Sequence, residues 1–81
     1  MHITVSLYYH LKEKAGKGNF DVEIKEPATI KDLIILLEQE YPALRTHLDN
    51  VMILMNKKIV LNEDIIKDQA EVAFLTPVGG G

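Results

Sequence analysis

The sequence predicts a small α+β domain in which one long helix packs against a mixed β-sheet. Apolar and polar residues alternate with a period of two near both ends of the 81-residue chain, as in half-buried strands. Between them lies a stretch whose apolar residues recur at helical spacing. The chain is below the usual domain size of roughly 100–150 residues, so these elements are expected to share one core.

The first part of the chain predicts two strands with a short helical turn between them. Residues 3–8 alternate Ile, Thr, Val, Ser, Leu, Tyr, and residues 20–25 alternate in the same way. Residues 10–15 have the composition of a helical turn. The following Gly16-Lys17-Gly18-Asn19 is typical of the turn that leads back into a neighbouring strand.

The long helix is predicted to begin after Thr29, which serves as its N-cap, with Asp32 at the third helical position. Pro42 disfavours helical geometry at the residue before it, so the helix is expected to end at Tyr41. The side chains that share its apolar face are Ile30, Leu33, Ile34, Leu37 and Tyr41.

The second part of the chain predicts three further strands. Residues 51–55 form a continuous apolar run, which indicates a central strand covered on both faces. Asn56-Lys57 predicts a turn, residues 59–61 a short edge strand, and residues 71–75 the last strand. The order ββαβββ is that of a β-grasp roll, the shape of ubiquitin. We therefore predict a β-grasp domain over residues 1–76 and a flexible C-terminal tail over residues 77–81.

Composition excludes several classes of function. The net charge is −3, which argues against a nucleic-acid-binding protein, and the lysines near the N-terminus are interpreted as a solvated rim. The absence of cysteine excludes disulfides, thiolate metal sites and a cysteine nucleophile. No apolar run is long enough to span a bilayer and the N-terminus lacks the features of a signal peptide, so a cytoplasmic protein is expected.

The histidines and methionines are predicted to have structural or surface roles. His2, His10 and His47 are widely spaced in the sequence and fall on three different elements, so they are interpreted as surface or capping residues, and no metal site is expected. Met52 and Met55 lie in the apolar run and are predicted to pack in the core.

The chemistry-bearing segment is predicted to be the end of the chain. Pro77 cannot donate to a sheet, so strand pairing is expected to stop there, and three glycines follow Val78. Five residues extend by about 17 Å, enough to enter a narrow pocket. The Gly81 carboxylate is ionised at neutral pH, and conversion to an acyl adenylate would make it electrophilic. Because the sequence lacks a phosphate-binding loop, ATP and its activating machinery are expected on a partner.

The segment Glu71-Val72-Ala73-Phe74-Leu75-Thr76-Pro77-Val78-Gly79-Gly80-Gly81 resembles the ending of the small subunit of molybdopterin synthase, the MoaD-like sulfur carriers of the MoaD/ThiS superfamily. Leu11-Lys12-Glu13-Lys14-Ala15-Gly16 resembles the segment that follows their first strand. Asp68-Gln69-Ala70-Glu71 departs from the Asp-Gly-Asp-Glu turn common in that family, which leaves the geometry of this turn open. Thr76-Pro77 stands where Pro-Pro is frequent.

The resemblance implies a cycle with several partners and no permanently bound cofactor. An E1-like adenylyltransferase would use ATP to activate Gly81, and a sulfur donor would convert Gly81, beside Gly80, into a thiocarboxylate. The tail would then enter the large synthase subunit, which carries the catalytic residues of a heterotetramer and builds the dithiolene of molybdopterin. Partner contacts are implied for the exposed positions Tyr8, Ile59 and Leu75 and for the tail residues Pro77, Val78 and Gly79.

Three alternatives stay open from the sequence. The sequence is compatible with a sulfur carrier that serves tRNA thiolation or another pathway. It is also compatible with a protein modifier joined to lysines through Gly81. It also suits a non-catalytic β-grasp interaction module whose tail has no chemical role.

Overall fold

The computed structural model describes residues 1–76, which fold into one five-stranded mixed sheet with a long helix against one face. The elements are β1 (His2–Leu7), α1 (His10–Ala15), β2 (Asn19–Glu23), α2 (Ile30–Glu40), a 3₁₀ turn (Pro42–Leu44), β3 (Met52–Met55), β4 (Lys58–Ile59) and β5 (Glu71–Leu75). The strand order is β2-β1-β5-β3-β4; β1 and β5 are parallel, and the other neighbours are antiparallel. This confirms the predicted ββαβββ β-grasp roll.

Local signals place both ends of α2 as predicted. The Thr29 hydroxyl oxygen accepts from the Asp32 N–H at 3.2 Å, and the Asp32 carboxylate accepts from the Thr29 N–H at 2.9 Å. This reciprocal capping box satisfies two donors that the first helical turn leaves free. The helix ends at Glu40, Tyr41 is its C-cap, and Pro42 opens the 3₁₀ turn.

Two tight turns also follow from their residues. Gly16 ends α1 in the left-handed region at φ 81°, and its N–H donates to the Lys12 carbonyl at 2.9 Å. Asn56 and Lys57 join β3 to β4 with φ of 52° and 71°. Two successive residues at positive φ give the twist that a two-residue hairpin needs.

The core lies between α2 and the inner face of the sheet. Its buried side chains alternate along the strands and recur at helical spacing along α2. They include Ile3, Val5, Leu7, Val22, Ile53, Val72 and Phe74 from the sheet and Ile30, Leu33 and Leu37 from α2. No helix within residues 1–76 is long and apolar enough to cross a membrane.

The prediction for residues 51–55 is wrong in two respects. The central strands are β1 and β5, whereas β3 lies between β5 and the two-residue edge strand β4. Met52 is 48% exposed and does not pack in the core, although Met55 is half-buried against it as predicted. The reason is that α2 covers only the inner face, so alternate residues of β3 point to the open outer face.

The turn before β5 keeps its position without a glycine. Gln69 has φ 61°, in the left-handed region, and its N–H donates to the His2 carbonyl at 2.9 Å. The Thr4 N–H donates to the Ala70 carbonyl at 3.0 Å. These bonds to β1 hold a glutamine in a conformation that favours glycine.

Candidate functional site

The described chain stops at Thr76, the residue immediately after β5. The predicted site residues Gly81, Gly80, Gly79, Val78 and Pro77 therefore lie outside the described residues. What the structure gives is the surface from which this segment departs: the end of β5, with the end of β1 on one side and the start of β3 on the other.

Apolar side chains occupy the outer face of the sheet beside this point. Cross-strand partners share a face, and the pairs Met52–Leu75, Leu54–Ala73 and Leu54–Ile59 lie opposite the core set. We call this surface the outer patch; its members are Tyr8, Met52, Leu54, Ile59, Ala73 and Leu75. Tyr8, Met52 and Ile59 are 43%, 48% and 69% exposed, while Leu54, Ala73 and Leu75 are half-buried.

Tyr8 joins the patch through the parallel ladder. The Tyr8 N–H donates to the Phe74 carbonyl at 3.3 Å, which continues the β1–β5 pairing past Leu7 and puts Tyr8 beside Leu75. Tyr9 then has φ 54° and ψ −122°, a conformation that non-glycine residues rarely adopt, and the chain turns into α1. The Tyr8 and Tyr9 ring centroids are 6.2 Å apart, so two exposed aromatic rings stand at this end of the sheet.

The other half of the outer face is polar. We call it the polar ladder: His2, Thr4 and Ser6 of β1 face Glu23, Asp21 and Asn19 of β2. Each cross-strand pair is hydrogen-bonded. Ser6 Oγ donates to Asn19 Oδ1 at 2.6 Å, and Thr4 Oγ1 donates to Asp21 Oδ1 at 3.3 Å.

His2, at the end of the polar ladder, lies between two carboxylates. His2 Nδ1 lies 2.8 Å from Glu23 Oε1, and Nε2 lies 3.4 Å from Asp21 Oδ2. The hydrogen bond with Glu23, followed by that with Asp21, raises the pKa of His2 because both carboxylates favour the imidazolium. The side chains of His2, Asp21 and Glu23 are all exposed to solvent, so they form a charge cluster on the surface.

Three of the predicted contact residues lie together on the outer face of the sheet, and the other three lie in the segment outside the described residues. Tyr8, Ile59 and Leu75 all belong to the outer patch, with Leu54 and Ala73 forming the surface between them. Sequence reasoning missed Met52 and Leu54 because it assigned them to a strand covered on both faces. One signal was available: a chain with a single long helix can cover only one face of its sheet, so a two-faced apolar strand indicates an outer contact surface.

Two of the three histidines, which are distant in sequence, are neighbours in the fold. His10 and His47 pack against each other with ring centroids 5.1 Å apart in an edge-to-face arrangement. They meet because α1 contacts the chain around the 3₁₀ turn, a long-range contact that spacing does not reveal. Among residues 1–76, no group of three His, Asp or Glu side chains is placed to hold a metal ion.

Comparison with known proteins agrees with this architecture. The family model described as "ThiS family" matches residues 5–81. The molybdopterin synthase sulfur carrier subunit of Mycobacterium tuberculosis is 34% identical over 61 residues, which are 75% of this chain and 74% of that protein.

Two solved structures extend the comparison to the whole chain. SAMP1, small archaeal modifier protein 1, from Haloferax volcanii has a TM-score of 0.90 at 25% identity, with all of both chains covered. The complex of subunits 1 and 2 of molybdopterin-converting factor from Helicobacter pylori contains a chain with a TM-score of 0.73 at 26% identity, also with both chains fully covered. The chain therefore belongs to the ThiS family, and the resemblance to MoaD-like sulfur carriers that its sequence indicates is confirmed.

Proposed function

We propose that this protein is a sulfur carrier and the small subunit of molybdopterin synthase, with sulfur held as a thiocarboxylate at Gly81. The observation that carries the proposal is the position of the outer patch. Leu75 is both the last residue of β5 and a member of the patch, so a partner that binds the patch also receives the segment that starts at Thr76. The name of the Mycobacterium tuberculosis relative and the Helicobacter pylori two-subunit complex support the same assignment.

The proposed chemistry uses the chain only as an acyl group. The Gly81 carboxylate attacks the α-phosphate of ATP on an E1-like partner and displaces pyrophosphate. A persulfide of the sulfur donor attacks the resulting acyl adenylate and displaces AMP. A thiol then attacks the donor's own sulfur, forms a disulfide with the donor and releases the Gly81 thiocarboxylate. Because glycine has no Cβ, the Gly81 carbonyl is open to attack, and Gly80 keeps the adjoining backbone equally narrow.

The outer patch supplies the binding energy in this proposal. Its three most exposed members are Tyr8, which directly follows β1, Met52 on β3 and Ile59 on β4, so a flat apolar surface on the large subunit would contact all three at once. Exposed apolar patches rimmed by polar residues are typical of protein interaction sites. The tail residues Pro77, Val78 and Gly79 would line the entrance to the large subunit's pocket. The large subunit would supply the catalytic residues, in a cytoplasmic heterotetramer.

Intact mass spectrometry tests the chemistry. After incubation with the cognate E1-like enzyme, ATP and a sulfur donor, the mass should rise by the difference between one sulfur and one oxygen atom. A variant without Gly81 should gain nothing while its thermal unfolding stays unchanged, because residues 3–74 already supply the buried core. If the full chain gains no mass with partners that load another carrier, the proposed sulfur chemistry is wrong.

A second candidate is a protein modifier joined to lysine amines through Gly81. It is favoured by the TM-score of 0.90 with small archaeal modifier protein 1. Here the activated carbonyl is attacked by a lysine amine, so adducts of higher mass should form with other proteins.

Affinity capture separates the sulfur pathways: recovery of the molybdopterin synthase large subunit supports the first proposal, whereas recovery of a tRNA thiolase supports another sulfur route.

A further inference from the structure

The two edges of the sheet differ in what they offer to another strand. At one edge, β4 has two residues; at the other, β2 has five and no proline or bulge. Within residues 1–76, no strand pairs with the outer side of β2. Exposed edges of this kind accept an added strand unless charge or geometry prevents it.

The backbone groups on the free side of β2 follow from its pairing with β1. The Leu7 N–H donates to the Gly18 carbonyl, and the Ile24 N–H donates to the Met1 carbonyl. In an antiparallel pair the bonded residues alternate along the strand. Gly18, Phe20, Val22 and Ile24 therefore bond to β1. The N–H and C=O groups of residues 19, 21 and 23 point away from the sheet.

A groove runs beside this edge, between the end of β2 and α2. Its volume is about 390 Å³. The α2 wall is formed by Asp32, Ile35, Leu36 and Gln39, which share one helical face by their i, i+3, i+4, i+7 spacing. Ile35 is 44% exposed there, the only large apolar side chain of α2 left so open. A strand added to β2 would direct every second side chain toward this wall.

The opposite side of the same edge is acidic. Asp21 and Glu23 project from the outer face, 64% and 74% exposed; among residues 1–76 their cationic partners are His2 and the N-terminal ammonium, which lies 3.8 Å from Glu23 Oε2. Lys25 lines the groove itself, together with Glu23 and Asp32. A second copy of β2 would bring these carboxylates against their own kind, which is destabilising for residues directly opposite each other. A strand with basic residues on its outer side would instead complement them.

We propose that the free edge of β2 binds an extended segment of a partner protein in which apolar and basic residues alternate. The segment adds a sixth strand to the sheet, antiparallel to β2, so that its residues opposite 19, 21 and 23 make the backbone hydrogen bonds. Its apolar side chains enter the groove at Ile35 and Leu36, and its lysines or arginines face Asp21 and Glu23. This surface shares no residue with the outer patch, which lies on β5, β3, β4 and the end of β1, so both can be occupied at once. The inference goes beyond the proposed sulfur carrier and does not depend on it.

The test is an NMR titration of the ¹⁵N-labelled full chain with the synthetic peptide acetyl-Lys-Val-Lys-Val-Lys-Val-Lys-amide. Shifts are expected at the amides of Asn19, Asp21, Glu23, Ile35 and Gln39. The control peptide carries N-methyl groups on its lysine amides, which face β2 in the paired register. It keeps the charge and loses the ladder bonds, and should bind at least about tenfold more weakly, as expected when several hydrogen bonds are lost.

A matched pair of variants locates the groove. Ile35→Lys should weaken peptide binding at least about tenfold, whereas Ile65→Lys, the same change at an exposed residue near β4, should not alter it. Equal binding of the N-methylated peptide would overturn the proposal, since it would show electrostatic adhesion alone. Shifts confined to the outer patch, or self-association of the protein through β2, would overturn it as well.

Discussion

The outer patch and the polar ladder lie side by side on one face of one sheet, yet one exposes apolar side chains to water and the other exposes hydrogen-bonded polar side chains. In the polar ladder, cross-strand partners satisfy one another, as in the 2.6 Å bond between Ser6 and Asn19. In the outer patch, cross-strand partners such as Met52 and Leu75 are both apolar, and both keep part of their surface in contact with solvent. The backbone pairing is equally regular in both halves. The difference shows that the side chains alone, and not the backbone pairing, divide this sheet face. One half has its polar groups hydrogen-bonded to each other, and the other half has an apolar surface suited to binding a partner.

The strongest way to break this comparison is to place charge in the outer patch. Met52→Glu combined with Ile59→Glu should weaken binding to the proposed partner, the molybdopterin synthase large subunit, about a hundredfold, or about 2.7 kcal/mol, because two carboxylates must be desolvated at the contact. Thermal unfolding should change little, since Met52 and Ile59 are 48% and 69% exposed. Calorimetric titration measures the affinity.

The matched control lies in the polar ladder. Asp21→Asn combined with Glu23→Gln also alters two side chains of the outer face by one charge each, and should leave the affinity for the large subunit within about twofold. Equal weakening by both double variants would show that the two halves do not differ in partner contact.

A second prediction concerns the backbone strain next to the outer patch. Tyr9→Gly should raise the free energy of unfolding by about 1 kcal/mol, because Tyr9 has φ 54° and ψ −122° while its ring is 65% exposed and little packing is lost. Urea denaturation measures the change. Tyr9→Ala is the control: it removes the ring and keeps the Cβ, so it should give no comparable gain. A less stable glycine variant would contradict the assigned strain.

A smaller gain is expected at the turn beside the polar ladder. Gln69→Gly should stabilise the fold by at most about 1 kcal/mol, because relief of a left-handed backbone is partly offset by greater freedom of the unfolded chain. The bond from the residue 69 N–H to the His2 carbonyl is kept. Differential scanning calorimetry of the variant beside Gln69→Ala, which retains the Cβ, tests this; equal melting temperatures would contradict it.

The smallest effect is a pH dependence in the polar ladder. The raised pKa of His2 means that the folded state binds this proton more tightly than the unfolded state, whose value is near 6.5. The resulting stabilisation is complete below that pH and is lost as pH rises through the higher folded value. His2→Asn should remove this component. NMR titration of the His2 ring should give a pKa above 6.5, and a lower value would contradict the assigned carboxylate contacts.

Much of the fold was predictable because its signals are local. Thr29 with Asp32 marks the start of α2, Pro42 its end, and Asn56-Lys57 a hairpin turn, and each acts through neighbouring atoms. Strand order was not predictable in this way, because the parallel pairing of β1 with β5 joins segments almost 70 residues apart. The error at residues 51–55 arose there: an apolar run reveals that both faces are apolar but not what covers them.

The residues of the candidate site also divide into those predictable from local patterns and those that are not. Alternation was enough to turn Tyr8 and Leu75 outward, since each follows a buried residue of its strand. Met52 and Leu54 required knowledge of which strand pairs with β5, and the contact of His10 with His47 required the packing of α1. Their place in the molecule depends on tertiary contacts rather than on neighbouring residues.

The central position of β5 has a consequence for biosynthesis. Of the five described strands, β5 is synthesised last, yet it pairs with both β1 and β3, so a nascent chain has no complete hydrophobic core until β5 emerges. Pairing between such distant segments also makes folding slow compared with that of a helical bundle. A prematurely terminated chain would lack β5 and remain unfolded. The domain can therefore fold only after synthesis has passed Leu75, the residue directly before Thr76.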